Sequence, residues 1–167
     1  MRRFVFLFAL YLLAGNLLLL LPPVKEWFVE PWTALNARWA VELSRWGGAS
    51  LQAAGTVVKT ESGSVSVKPG CNGVHALVLC ASAILAFPAP WTRRLIGLVM
   101  AAVGVFGLNL VRLVNLFYVA RYHPESLEFF HVYVWQTLIA LLSFGIFLGW
   151  GRFLASSASE TPTGDGA

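Results

Sequence analysis

Four apolar runs constrain this chain more than any other feature. They are Phe4 to Leu21 ("FVFLFALYLLAGNLLLLL"), Asn72 to Phe87, Leu95 to Val119 and His131 to Trp150. The first is about 27 Å long as a helix, close to the thickness of a bilayer's hydrocarbon core. Segments this apolar must satisfy their backbone groups internally, which inside lipid means helices. Composition agrees: 57% of residues are hydrophobic and 12% charged, against roughly half and a quarter in a soluble domain. A cleaved signal peptide competes for the first run, because Arg2 and Arg3 precede it. "LLLLLPPVKEW" offers no small-residue cleavage site, so a retained anchor is expected.

The basic residues orient these runs. A net charge of +4 raises nucleic acid as a partner, but Arg2, Arg3, Arg93, Arg94 and Arg152 all flank apolar runs. With four spans they fall on one side, which the positive-inside rule makes cytoplasmic. Both termini then lie inside, segments 22–70 and 120–130 face outward, and nucleic acid is not expected. The seven tryptophans lie mostly near the ends of the runs, as interfacial aromatics do. No Gly-rich nucleotide loop and no internal repeat is present.

Between the first two runs, "EPWTALNARWAVELSRWGGASL" reads as an amphipathic helix on the outer face. "TVVKTESGSVSVKPG" carries two β-branched stretches around Glu61–Ser64, a short hairpin signal, and Pro69-Gly70 closes it. The expected fold is thus an all-α membrane protein, with four transmembrane helices and an outer amphipathic helix plus short β-hairpin between the first two. It forms one membrane-embedded domain over residues 1–154. The small, polar stretch 155–167 reads as a disordered cytoplasmic tail.

This topology gathers the polar residues of the runs at one depth. Cys71 opens the second helix at its outer end, Arg112 lies roughly 10 Å below the outer end of the third, and His131 opens the fourth. An arginine in a span costs about 2.5–3.5 kcal/mol near the bilayer centre. Snorkelling to the interface is one answer. However, Gly97, Ala101, Gly104, Leu108, Arg112 and Asn115 share a stripe of roughly 60–80°, and small residues mark a packed helix face. Arg112 is therefore expected inside the bundle, with Asn109 and Asn115 available to hold it. Cys71 follows Pro-Gly at a helix N-terminus near cations, a setting that favours a nucleophilic thiolate. His131 suits the general acid/base, and His75, one turn after Cys71, is a rival for that role. Gly73 would keep the approach to the sulfur open. Cys80, among "LVLCASAIL", reads as structural. The two cysteines are roughly 13 Å apart on one helix, too far to bridge. Cys71, His75 and His131 could be imagined as a metal site, but the arginine and the lack of carboxylates in the spans argue against a metal, and no cofactor is expected.

With these residues in view, positions 69 to 140 resemble the core of the exosortase/archaeosortase family, membrane-embedded cysteine transpeptidases. "CNGVHAL" resembles the family's C-x-G motif, "NLVRLVNLF" its N-x-x-R motif, and "FFHVYVWQ" the segment around its histidine. "RYHPESLEFFHVYVWQ" and the small size look most like the short exosortase H type. The resemblance implies a catalytic Cys71, Arg112 and His131, the histidine pointing to the bacterial branch. It implies a multi-pass protein of the bacterial inner membrane with its active site facing the periplasm. The implied substrates are exported proteins ending in a short motif, one transmembrane helix and a basic cluster, with lipid or glycan as acceptor. Full-length members often have eight spans where four are expected here. The alternative reading is a non-enzymatic membrane assembly or transport component whose Arg112 binds an anionic group.

Overall fold

The computed structural model describes residues 1–48, 51–60, 63–66 and 71–159. Helix α1 (Arg2–Leu18) ends where Pro22 and Pro23 follow Leu21, which is extended at φ −71°, ψ 130°. The residue before a proline is pushed out of helical geometry, and proline suits the first helical position. The chain therefore turns and restarts as a helical path over Pro22–Trp46, bent by 83° from α1. That path comprises a short α2 (Pro22–Val24), a π turn (Lys25–Val29) and α3 (Glu30–Trp46). The π turn falls just ahead of Pro31, whose ring has no N–H to give a regular turn and would crowd its carbonyl.

The expected hairpin is larger than the sequence indicates: β1 (Gln52–Ala54), β2 (Val57–Thr60) and β3 (Gly63–Ser66) form an antiparallel meander in the order β1-β2-β3. Part of the expected turn and all of Pro69-Gly70 lie outside the described residues. Val58 and Leu51 pack with Ala37, Ala40 and Val41 of α3 onto Leu110, Leu113 and Phe117 of the long helix α5. The amphipathic helix and the sheet are thus a cap on α5.

α4 (Val74–Ala86) stops where Phe87 becomes extended before Pro88, and α5 (Trp91–Tyr122) follows. The segment expected as an outer loop is itself helical after His123. A 3-10 turn (Pro124–Ser126), a short α6 (Leu127–Phe129) and a π turn (Phe130–Val134) lead into α7 (Trp135–Ser159). α7 therefore carries helix into the first part of the expected tail, and residues 160–167 lie outside the described residues.

Two helices, Trp91–Tyr122 and Pro124–Leu154, are long and apolar enough to cross a membrane. α1 passes the same test only together with Pro22–Trp46, and α4 has 13 residues, about 20 Å against a core of about 30 Å. The four expected spans are thus two clear ones, a bent pair and a short apolar helix.

Small residues draw the helices together. A Cβ at Gly97 would stand 2.6 Å from Trp150 Nε1, one at Gly104 2.7 Å from Ile146 Cδ1, and one at Gly15 2.7 Å from Val78 Cγ1. These positions join α5 to α7 and α1 to α4. The stripe through Gly97, Ala101 and Arg112 is buried as its spacing indicates. Trp27, Trp39, Trp46 and Trp91 are exposed, whereas the other three link elements. Trp32, Trp135 and Trp150 donate their indole N–H to Asn72 O, Asn115 Oδ1 and Arg93 O, each tying two elements together.

Candidate active site

Cys71 stands in the bend that feeds α4, and its neighbours fix that bend. Gly73 caps α4 at φ +72°, in the left-handed region where a side chain is strained. It also lies against α5, because a Cβ there would meet Asn109 Cγ at 3.2 Å and Val105 Cγ1 at 3.3 Å. Its lack of a side chain thus lets the Cys71 turn lie directly on α5. Asn72, 1% exposed, accepts from Val74 N at 3.2 Å and donates through Nδ2 to Thr33 Oγ1 at 2.9 Å. Thr33 Oγ1 donates in turn to Val29 O at 2.6 Å, and Trp32 Nε1 donates to Asn72 O at 2.8 Å.

A second buried link joins α3 to α5 beside the first. Asn109 Nδ2 donates to Asn36 Oδ1 at 3.0 Å, and Asn36 Nδ2 donates to Trp32 O at 2.8 Å. Buried amides of this kind are costly unless bonded, so Asn36, Asn72 and Asn109 fix the docking of α3 over the Cys71 bend.

His131 arrives from the opposite side, in the π turn ahead of α7. One turn further on, Trp135 Nε1 donates to Asn115 Oδ1 at 2.8 Å, clamping that turn to α5. His131 Nε2 meets Cys71 Sγ in a direct hydrogen-bond contact across sixty residues of chain. Arg112, 1% exposed, lies one turn before Asn115 on α5. It is close enough to interact electrostatically with both Cys71 and His131. The helix carrying it continues ten residues to Tyr122, so Arg112 lies about 15 Å from the helix end.

The expected residues thus divide into three groups. Cys71, Arg112 and His131 converge. Asn109 and Asn115 adjoin them, bonded to Asn36 and Trp135. His75 turns away: its exposed ring meets Asn16 Oδ1 of α1 at 2.9 Å, an oxygen that can only accept and so assigns the proton to Nδ1. Cys80 is buried, with Sγ donating to Ser143 O at 3.2 Å. Thr33, Trp32, Asn36 and Asn72 are supports that no motif in the sequence announces. Thr33 and Asn36 recur at helical spacing with Ala37, Ala40 and Ser44, a small-residue face that could have marked them. Among the described residues no cluster of His, Cys, Asp or Glu could hold a metal ion.

Chemically, a thiol in contact with an imidazole beside a buried guanidinium can form a thiolate–imidazolium pair and attack an electrophilic carbon. The fixed cation suits the negative oxygen produced by such an attack.

Compared with known proteins, the chain matches the model of the transmembrane exosortase family over residues 2–149. No curated protein and no solved structure matches it.

Proposed function

The chain belongs to the transmembrane exosortase family, and from that premise we propose that it is a membrane-embedded cysteine peptidase or transpeptidase acting on the C-terminal sorting signals of exported proteins. The observation that carries this reading is the Cys71–His131 contact beside buried Arg112. In the proposed cycle the Cys71 proton passes to His131, and the thiolate attacks the scissile carbonyl to form a C–S bond. Arg112 offsets the charge of the tetrahedral oxyanion, a role that contributes on the order of 10²–10³ in rate where one donor is removed. His131 gives its proton to the leaving amine as the C–N bond breaks, leaving an acyl-enzyme. The incoming nucleophile, a water, lipid or glycan hydroxyl, then loses its proton to His131 and releases the thiol.

In this reading α1 and α4 cross the bilayer beside α5 and α7, giving four spans. Both termini and the Arg93 end are cytoplasmic, and the Cys71 end faces the periplasm of a bacterial inner membrane. The basic residues support that orientation. The Cys71–His131 contact disfavours the alternative of an anion-binding assembly or transport component, because anion binding at Arg112 makes no use of a thiol paired with an imidazole.

The test is mass spectrometry of the C-terminus of a candidate substrate that carries a motif, an apolar helix and a basic tail. Cells with the unaltered protein should yield a shortened C-terminus. Cells with Cys71→Ala should keep the full-length form at equal protein level, and equal processing in both would sink the proposal.

A further inference from the structure

At the end of the bundle opposite Cys71, the ring of Phe87 meets those of Phe4, Phe147 and Trp150. Trp150 Nε1 donates to Arg93 O at 2.9 Å, and Arg93 Nη1 donates to Leu154 O at 3.1 Å. The start of α1, the α4–α5 turn and the Trp150–Leu154 stretch of α7 are thereby gathered, and with them Arg2, Arg3, Arg93, Arg94 and Arg152. Glu26, Glu30, Glu42, Glu125 and Glu128 lie instead on the Pro22–Trp46 path or between α5 and α7. Among the described residues, therefore, no carboxylate offsets these cations. Beside Arg93 is a hollow of about 310 Å³, between Pro88–Pro90 of the turn and Gly151 and Leu154 of α7. A cavity of about 150 Å³ already takes a benzene ring, so a polar headgroup fits this one.

We propose that this hollow holds the headgroup of an anionic glycerophospholipid, a property independent of the peptidase reading. Three observations favour that occupant. Arg93 is half-buried in the wall of the hollow, and its bond to Leu154 O engages one N–H of a guanidinium. The fork has further donors, and a phosphate is the anion that an arginine fork matches. Next to it, the guanidinium of Arg94 lies 5.2 Å from the ring of exposed Trp91. Arginine and indole together mark the headgroup level of a membrane, so lipid phosphates lie at the height of Arg93. Finally, exposed Leu141, Phe144 and Leu148 form a stripe along α7 that leads to Gly151. From Leu141 to Gly151 the helix rises about 15 Å, half of a hydrocarbon core of about 30 Å. One acyl chain of a single leaflet can follow that stripe while its headgroup fills the hollow, whereas a soluble anion makes no use of it. Topology alone also puts arginines at this end, but it would leave them interchangeable. The hollow singles out Arg93.

The test uses the full chain in a neutral detergent, with dioleoyl phosphatidylglycerol as the probe. Dioleoyl phosphatidylcholine is the neutral control, and glycerol 3-phosphate is the soluble anion. Native mass spectrometry across a concentration series reads binding. The unaltered chain should bind phosphatidylglycerol about tenfold or more tightly than either comparison compound. Arg93→Gln should weaken that binding about fivefold, the effect of one basic residue at an anionic surface, while Arg93→Lys retains most of it. Gly151→Leu should weaken it by a similar factor. An added Cβ meets nothing within 4 Å at Gly151, so the side chain enters the hollow without disturbing α7. Gly149 is equally unhindered but does not line the hollow. Gly149→Leu and Arg3→Gln should therefore leave binding within about twofold, the remaining charge effect being screened. Equal affinity for the two lipids overturns the proposal. So does a loss in Arg3→Gln as large as in Arg93→Gln, which would assign the binding to diffuse charge. Glycerol 3-phosphate bound as tightly as the lipid would make the hollow a site for soluble anions and overturn the lipid assignment. Should Arg93→Gln fail to fold, the comparison of Gly151→Leu with Gly149→Leu decides alone, and equal binding in those two sinks the site.

Discussion

Trp135 Nε1 and Asn115 Oδ1, 2.8 Å apart, hold the π turn bearing His131 against the helix bearing Arg112. Neither residue needs to touch a substrate, yet their bond sets the geometry of two groups that do so in the proposed cycle. Misplacing a catalytic group by about 1 Å can cost on the order of a hundredfold. Trp135→Phe and Asn115→Ala are therefore expected to lower processing about tenfold or more, with little change in protein level. Asn115→Asp keeps an acceptor and should recover most of the loss. Alkylation of Cys71 followed against pH separates positioning from packing. If His131 is displaced, the pH dependence shifts toward that of an ordinary thiol, and a profile unchanged in Trp135→Phe would argue that the indole only fills space.

Gly73 is held for two reasons that alanine cannot meet together. Its φ of +72° strains any side chain, and the Asn109 and Val105 atoms stand at 3.2–3.3 Å from an added Cβ. The left-handed conformation alone costs about 1–2 kcal/mol, and relieving the contact moves the Cys71 bend off α5. Gly73→Ala should therefore lower thermal stability in detergent and reduce processing more than stability alone explains. Processing at unaltered levels would mean that the bend is not set at this residue.

The Asn109–Asn36 bond joins the cap to the core of the bundle, with both side chains fully buried. Removing one amide leaves the other without its partner at a cost of about 1–3 kcal/mol. Asn36→Ala and Asn109→Ala should each destabilise by that amount, while the double variant costs less than their sum. A double-mutant cycle by thermal or denaturant unfolding in detergent measures the coupling, and strictly additive effects would count against a direct bond.

What was legible in the sequence follows periodicity, and what was not follows the direction of the chain between elements. The stripe through Gly97, Ala101, Gly104 and Arg112 is a local pattern, because one helix repeats it without reference to anything else. Cys71, Arg112 and His131 were brought to one end by counting spans, a form of topology that apolar runs carry. By contrast, the partnership of Asn36 with Asn109 depends on the 83° turn after α1 and on which side of α5 the cap then lies. No spacing encodes that turn beyond the two prolines that permit it. Position in a run likewise cannot tell an indole facing lipid from one donating across a helix contact, as Trp135 and Trp150 do. His75 was misleading for a similar reason: one turn from Cys71 by count, it lies on the flank of α4 that meets α1 and Asn16.

The two histidines near Cys71 can be told apart by substitution. His131 contacts the sulfur, whereas His75 is exposed and paired with Asn16 of α1. General acid/base groups contribute typically 10²–10⁴-fold, so His131→Ala should reduce processing by at least a hundredfold. His75→Ala removes one exposed hydrogen bond, worth about 0.5–1.5 kcal/mol, and should leave processing within about threefold of the unaltered protein. Quantitative immunoblotting of cleaved and full-length substrate at matched protein levels makes the comparison. If His75→Ala abolished processing while His131→Ala did not, the base would be the α1-facing ring, and the nucleophile would have to approach it by a rearrangement of the Cys71 bend.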